Sequence, residues 1–335
     1  QTITGTIDGG ADGEGEFRIA NTGESTVVAS AVGGTFDLRL VDVDSAATFN
    51  SSVASTGITI DFATTITGAV TATTTTMGAG DVLTAASNVS SAIVLTDATS
   101  GLTLSGSDAT VTGDINASSA TDAGIVSVTG SKTTFAGNLG AATGTNIITL
   151  SVAAGKRAVI TEGSNFVNEI DMGNAAELEI TKAVTNGTTV FTNAAAMTDA
   201  DLKDTGAAKI YLPVNLSDGQ TLVLFKSAAN SATMLTNVTT SVLDNALTDY
   251  TVANATGTYT VTSNDRTSSA VASQLLVTEN TAKAMLQARN AVISDANADG
   301  TAEDAMYNAL QAQGGYSATE DTALAKQVAP QDDMI

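Results

Sequence analysis

Two acid pairs stand two residues apart in strand-like stretches, Asp42-Val-Asp44 and Glu177-Leu-Glu179. Alternation along a strand puts both members of a pair on one face. Paired carboxylates can cleave a glycosidic bond without help from an imidazole. Same-face acids on an exposed strand are ordinarily just solvated, and no Trp and few Tyr are present to line a sugar cleft. The chain also has no His and no Cys. That excludes a Ser-His-Asp triad, a thiol nucleophile, a Cys/His zinc site and a disulfide framework. The expectation is a protein that is not an enzyme.

Two acidic loops have the composition of calcium ligands. Asp295, Asn297 and Asp299 occupy positions 1, 3 and 5 of a loop with Gly300 at position 6. This matches the first half of an EF-hand-type loop, in which hard Ca²⁺ gathers several oxygens around a glycine turn. Position 12 is Met306 rather than an acid, so Glu303 or Asp304 would have to complete the set. The second loop, Asp8-Gly-Gly-Ala-Asp12-Gly-Glu14-Gly-Glu16, crowds acids that repel unless solvated or bridged by a cation. Asp8, Asp12 and Glu14 are its candidate ligands. Ca²⁺ is the one cofactor expected. The competing reading for each loop is a solvated polar turn.

The elements that must carry these residues are short strands. The 335 residues have 43% hydrophobic and 4% aromatic composition. Thr and Ala each supply roughly one residue in six. From Gln1 to about Val277, β-rich segments such as Ile58-Thr-Ile60, Ala92-Ile-Val-Leu95, Ile125-Val-Ser-Val128 and Leu178-Glu-Ile180 alternate with Gly, Asn, Asp and Ser turns. Small β-branched residues fill a narrow lumen in ladders, and Pro occurs only at 213 and 330. These features predict an all-β fold, a parallel β-helix (solenoid) with about three strands and roughly 20–30 residues per rung. A β-sandwich array would want more aromatic core.

Past Thr278 the period becomes helical. Asn280 to Ile293 puts Ala282, Leu286 and Ile293 on one face. Further helices are expected over 305–313 and over 321–328, the latter opened by the capping box Ser317-Ala-Thr-Glu320 and ended by Pro330. The predicted division is 1–277 solenoid and 278–335 helical tail. Such short helices are marginal alone, so they must dock on the last rungs or on another subunit.

The net charge is −22, with 13 Lys and Arg against 35 acids, so no nucleic-acid partner is expected. No apolar run is long enough to span a bilayer. A start at Gln1 already in a strand-like pattern suggests an exported chain whose leader has been removed.

The stretch Tyr211-Leu-Pro-Val-Asn-Leu-Ser-Asp-Gly-Gln-Thr-Leu-Val-Leu-Phe-Lys-Ser-Ala resembles the closing part of autotransporter passenger domains. Tyr250-Thr-Val-Ala-Asn-Ala-Thr-Gly-Thr-Tyr-Thr-Val-Thr fits the same context. The Ala-rich tail, ending Ala323-Leu-Ala-Lys-Gln-Val-Ala-Pro-Gln, is similar to the segment that joins passenger to translocator barrel. The resemblance runs over about 178–331, and the barrel itself is not in this sequence. It implies a β-helical passenger of the surface-layer or adhesin type. It also implies export through the outer membrane of a Gram-negative bacterium to the cell surface or beyond.

One segment bears on assembly. Gln1, Thr2, Ile3, Thr4, Thr6 and Ile7 alternate cleanly. They form either the first strand of the first rung or a strand donated to a neighbouring copy. The functional expectation is a secreted structural protein that self-assembles into a filament, sheath or surface layer through end-to-end or strand-donating contacts. The alternative is a monomeric surface adhesin for a host surface or glycan. A β-helical carbohydrate enzyme ranks third.

Overall fold

Alternation of an aliphatic with a small polar residue lets a three-residue strand bury its two ends and expose its middle. Thr26–Val28, Ala47–Phe49 and Thr64–Ile66 each bury both ends and leave the middle half-buried, with a threonine in the aliphatic place at Thr26 and Thr64. Such strands are too short to be stable in isolation and must stack. In the computed structural model they do so as a parallel β-solenoid of about 8 turns. The structure describes residues 1–21, 23–118, 122–141, 145–181, 185–193, 202–204, 208–212, 216–227, 247–255 and 257–294.

Three inward columns define the faces of the rod. The first runs Val28, Phe49, Ile66, Ala85, Leu104, Val128, Val152 and Met172, each paired in register with the next. The second runs Val53, Val70, Val89, Val111, Phe135, Ile160 and Ile180. The third runs Ile19, Val43, Ile60, Met77, Leu95 and Ala117. All belong to one continuous buried core. Each fully buried aliphatic side chain contributes roughly 1.5–3 kcal/mol relative to exposure. Phe and Tyr enter this core sparingly, chiefly as Phe49, Phe135, Phe191, Phe225 and Tyr259.

The second and third faces are formed in several rungs by one bent strand. Val53–Ile60 buries Val53, Ser55, Ile58 and Ile60, so its alternation changes phase at Thr56-Gly57. The Ser55 hydroxyl donates to the Gly57 carbonyl at 2.7 Å and satisfies that bend. In the next rungs Thr75 and Ser91 share a buried hydroxyl contact of 2.9 Å at the same corner. Rungs are compact: successive residues of the first column are 17 (Phe49 to Ile66) to 24 residues (Leu104 to Val128) apart. That is shorter than the sequence expectation at its lower end, because the corners need only a few residues.

Glycine is required where corners touch. A Cβ on Gly130 would lie 1.7 Å from the Gly106 carbonyl oxygen, and one on Gly137 2.4 Å from Gly113 backbone. Rung spacing of about 4.8 Å leaves no room for a methyl group between them.

The C-terminal end changes pairing. Thr221–Ser227 pairs parallel with Thr189–Asn193 but antiparallel with Thr258–Asp265, which forms a hairpin with Thr248–Ala255. Phe191 and Phe225 stack there with ring centroids 5.6 Å apart. Helical structure then opens at Ser268, ahead of Thr278. The helix Ser268–Leu275 is capped by Thr267, whose hydroxyl accepts from the Ala270 amide. The helix Glu279–Ser294 follows. Val271, Leu275, Ala282 and Met285 close a small core with Leu247, with Leu286 half-buried against it. Arg289 pins the second helix to the solenoid. It is buried, donates to the Leu216 carbonyl at 2.7 Å and pairs with Asp265 at 2.6 Å. These two helices therefore dock on the last rungs. The Ile293 side chain and the helices expected over 305–313 and 321–328 lie outside the described residues.

Gly130→Ala is expected to lower stability by roughly 1–3 kcal/mol, as overpacking does, and denaturant unfolding measures it. Gly34→Ala, whose nearest neighbours would be at 3.6 and 3.7 Å, should change it little. Arg289→Met should leave the solenoid folded but raise hydrogen exchange across 268–294, because it strips the partner from Asp265 and the Leu216 carbonyl.

Candidate functional site

Parallel in-register stacking brings residues one rung apart into direct contact, so the outer surface is a set of columns. On the corner that follows the third face, each rung emerges from a buried aliphatic residue. Asp44 follows Val43, and Asp61 follows Ile60. Asp42, Asp44 and Asp61 place one carboxylate oxygen each within 4.8 Å of one another. Arg18, one rung below, faces them. Its Nε lies 3.3 Å from Asp42 Oδ2, and the guanidinium also pairs with Asp44.

The row continues upward through Asp81 and Asp97. Burial pushes the Asp81 carboxyl above its ordinary range, and the charges of Asp61 and Asp97 push the same way. Asp42 is raised too, by burial and then by Asp44, with Arg18 opposing. Asp97 goes the other way. It accepts backbone N–H bonds from Thr99 and Ser100 at 2.8 Å and from Gly80 at 3.3 Å, which hold it below its ordinary range. Such a row is able to take a divalent cation through several hard oxygens.

The second acid pair lies on another face, inside a charge ladder. Lys132, Arg157, Glu177 and Lys209 are register partners on successive rungs. Lys132 also reaches Asp108 at 3.1 Å. Arg157 binds Glu177 at 2.5 Å and Glu179 at 3.3 Å, and its guanidinium lies 5.3 Å from the centre of the Tyr211 ring. The Tyr211 hydroxyl donates to Glu177 at 3.1 Å. Burial raises Glu179, and Arg157 partly offsets it. Each acid pair picked out in the sequence is thus straddled by one arginine from the preceding rung. The carboxylates stitch neighbouring rungs together.

The acidic N-terminal loop is used in the same way. Asp8 accepts from the Thr35 amide at 3.0 Å and Asp12 from the Asp37 amide at 3.2 Å. Glu14 lends its backbone carbonyl to the Arg39 amide at 3.3 Å. Asp8, Asp12 and Glu14 do not form the acidic cluster, which is Asp42, Asp44 and Asp61 among the described residues. The other predicted calcium loop, Asp295, Asn297, Asp299 and Glu303, lies outside the described residues.

The N-terminal segment is the first strand of the first rung. Thr2 and Ile3 pair parallel with Val27 and Val28, and Ile7 bridges Val32. The Gln1 carbonyl accepts from the Val27 amide at 2.8 Å. Thr4 and Thr6 are exposed on either side of Gly5, whose φ of 105° ends the strand. One edge of this strand is therefore occupied within the chain, so what it offers a neighbour is its other edge.

Sequence reasoning missed Asp61, Asp81 and Asp97. A signal existed for the first: Val41-Asp-Val43-Asp44 and Ile58-Thr-Ile60-Asp61 share an aliphatic, x, aliphatic, Asp pattern. Beside this corner is a cavity of about 490 Å³ bordered by Asn21, Glu24, Ser25, Asp44, Ser45 and Phe62. Phe62 is 52% exposed.

No protein-family model matches the chain, and no curated protein or solved structure matches it either.

Raised carboxyls give the pH dependence a sign. An acid raised in the folded state adds stability that is full below its unfolded pKa and lost as pH rises through its folded value. Stability contributed by Asp42, Asp81 and Glu179 should therefore grow on acidification from neutral pH toward the upper carboxylate range. Asp81→Asn should raise the unfolding midpoint at neutral pH and flatten the profile. Asp97→Asn should lower that midpoint, since a depressed acid stabilises above its unfolded pKa. Thermal unfolding between pH 4 and 8 checks both.

Proposed function

We propose that the chain is a structural passenger: a rod displayed at or released from a bacterial surface, which self-assembles end to end into a filament, sheath or surface layer. One observation carries this reading. Both parallel sheets have edge strands on the first rung, Thr2–Ile3 in one and Glu16–Ile19 in the other. Ile3, Ile7 and Phe17 are only partly buried against the core there. Open strand edges with apolar residues beside them are templates for pairing with another chain. The stitching of outward charges between rungs supports a load-bearing rather than a catalytic surface. No described helix is long and apolar enough to cross a membrane.

Calcium is part of the proposal. A divalent cation on Asp42, Asp44 and Asp61, and a second in the loop of Asp295, Asn297 and Asp299, would relieve like-charge repulsion and stiffen the rod. The alternative reading, a monomeric adhesin for a host surface or glycan, is favoured by the Phe62 cavity. An exposed ring with amide and carboxylate neighbours suits a polyhydroxy ligand.

Negative-stain electron microscopy of the purified chain, in millimolar calcium and in chelator, tests the assembly reading. Filaments or sheets are expected with calcium, and looser or shorter ones in chelator. Single short rods in both conditions would overturn assembly by this chain and leave the adhesin.

A further inference from the structure

The first-rung edge strand of the second sheet is Glu16-Phe17-Arg18-Ile19. Its inner edge is taken by Leu40–Val43. Glu16 and Arg18 face outward and are exposed, while Phe17 turns toward the core and Ile19 is buried. The outward residues carry opposite charge on either side of an apolar one. Such a segment is complementary to itself when reversed. In an antiparallel pair, residues directly opposite share a face. Reversal about Phe17 therefore sets each Glu16 opposite an Arg18.

We infer that two copies of this chain join at their first rungs about a two-fold axis at Phe17, with Glu16 of each copy opposite Arg18 of the other. This rests on the assembly reading above and specifies one of its contacts as isologous, head to head; that contact closes a dimer, and extension into a filament or layer needs a second contact elsewhere on the rod. Phe17, half-covered at this end, meets its own counterpart there, and the other half-covered groups of the first rung, Ile3 and Ile7, lie in the end face that the contact covers. Both guanidinium and carboxylate have capacity to spare. The Arg18 side chain is 59% exposed although it reaches Asp42 and Asp44, and that of Glu16 is 40% exposed although it meets Arg39 at 2.8 Å. The contact extends the rung-to-rung ladder already used within the chain, in which Arg157 bridges to Glu177. A head-to-tail joint lacks this match. The far edge strand of the same sheet is Lys209–Tyr211, which carries no carboxylate to set opposite Arg18.

The test uses the whole chain and light scattering coupled to size exclusion, with circular dichroism as the folding control. Because the chain has no Cys, Phe17→Cys adds a single thiol. Opposed residues in an antiparallel pair have Cα atoms about 4.5–5.5 Å apart, within disulfide reach. Mild oxidation is expected to give a covalent dimer with Phe17→Cys and none with Ala20→Cys, which the two-fold places far from its counterpart. Glu16→Arg sets like charges opposite each other twice and should weaken the joint about tenfold or more. It leaves Arg18 on Asp42 and Asp44 and loses only an exposed ion pair of small worth. Arg18→Glu should weaken the joint equally, and mixing the two variants should restore it as a heterodimer. Assembly that ignores both charge reversals and yields no Phe17→Cys dimer would overturn the two-fold contact while preserving the assembly reading. A monomer at every concentration would overturn both.

Discussion

Everything in this molecule depends on parallel strands stacked in register. Hydrogen bonding between rungs fixes a spacing of about 4.8 Å, so the nearest neighbour of most side chains is the residue at the same position one rung away. Inside, the constraint favours aliphatic columns such as Val53, Val70, Val89 and Val111. Outside, it forces charges together regardless of their separation along the chain. The surface therefore resolves into ladders where opposite charges meet, as at Arg157 and Glu177, and into a strained row where they do not, as at Asp61, Asp81 and Asp97. The chain's large negative charge is in this sense a local matter of which columns it occupies.

The same constraint explains which parts were legible in the sequence. Faces were, because alternation over Ile58–Ile60 or Ile125–Val128 is a local property of a half-buried strand. Corners were not. Val53–Ile60 looks like one strand, and only the burial of both Ser55 and Ile58 reveals that it turns a corner. Columns were the least legible, since rung length varies and no fixed spacing links Asp44 to Asp61 and Asp81. The helix Ser268–Leu275 escaped notice because Ser-Ser-Ala-Val-Ala-Ser has small and β-branched residues with weak helical periodicity. Its real start signal was the capping threonine at 267.

The candidate site was legible in residue type and not in partnership. Asp42 with Asp44 and Glu177 with Glu179 stood out as acid pairs, but an arginine one rung away defines what each pair does. Arg18 and Arg157 precede their acids by 20 to 26 residues, a distance that means contact only once the solenoid is known. The docked helices follow the same logic. Arg289 meets the Leu216 carbonyl across 73 positions of sequence, and its burial is tolerable because Asp265 neutralises it.

The unequal rungs carry a mechanical meaning. A rod pulled from its two ends bears the load through one rung's hydrogen bonds at a time, because each rung is held chiefly by the next. With the far end latched by Arg289 and its helices, peeling begins at the first rung. Each rung of 17 to 24 residues then releases roughly 60–80 Å of slack. The force trace is a sawtooth with uneven teeth, and the rod yields by stages under tension instead of snapping.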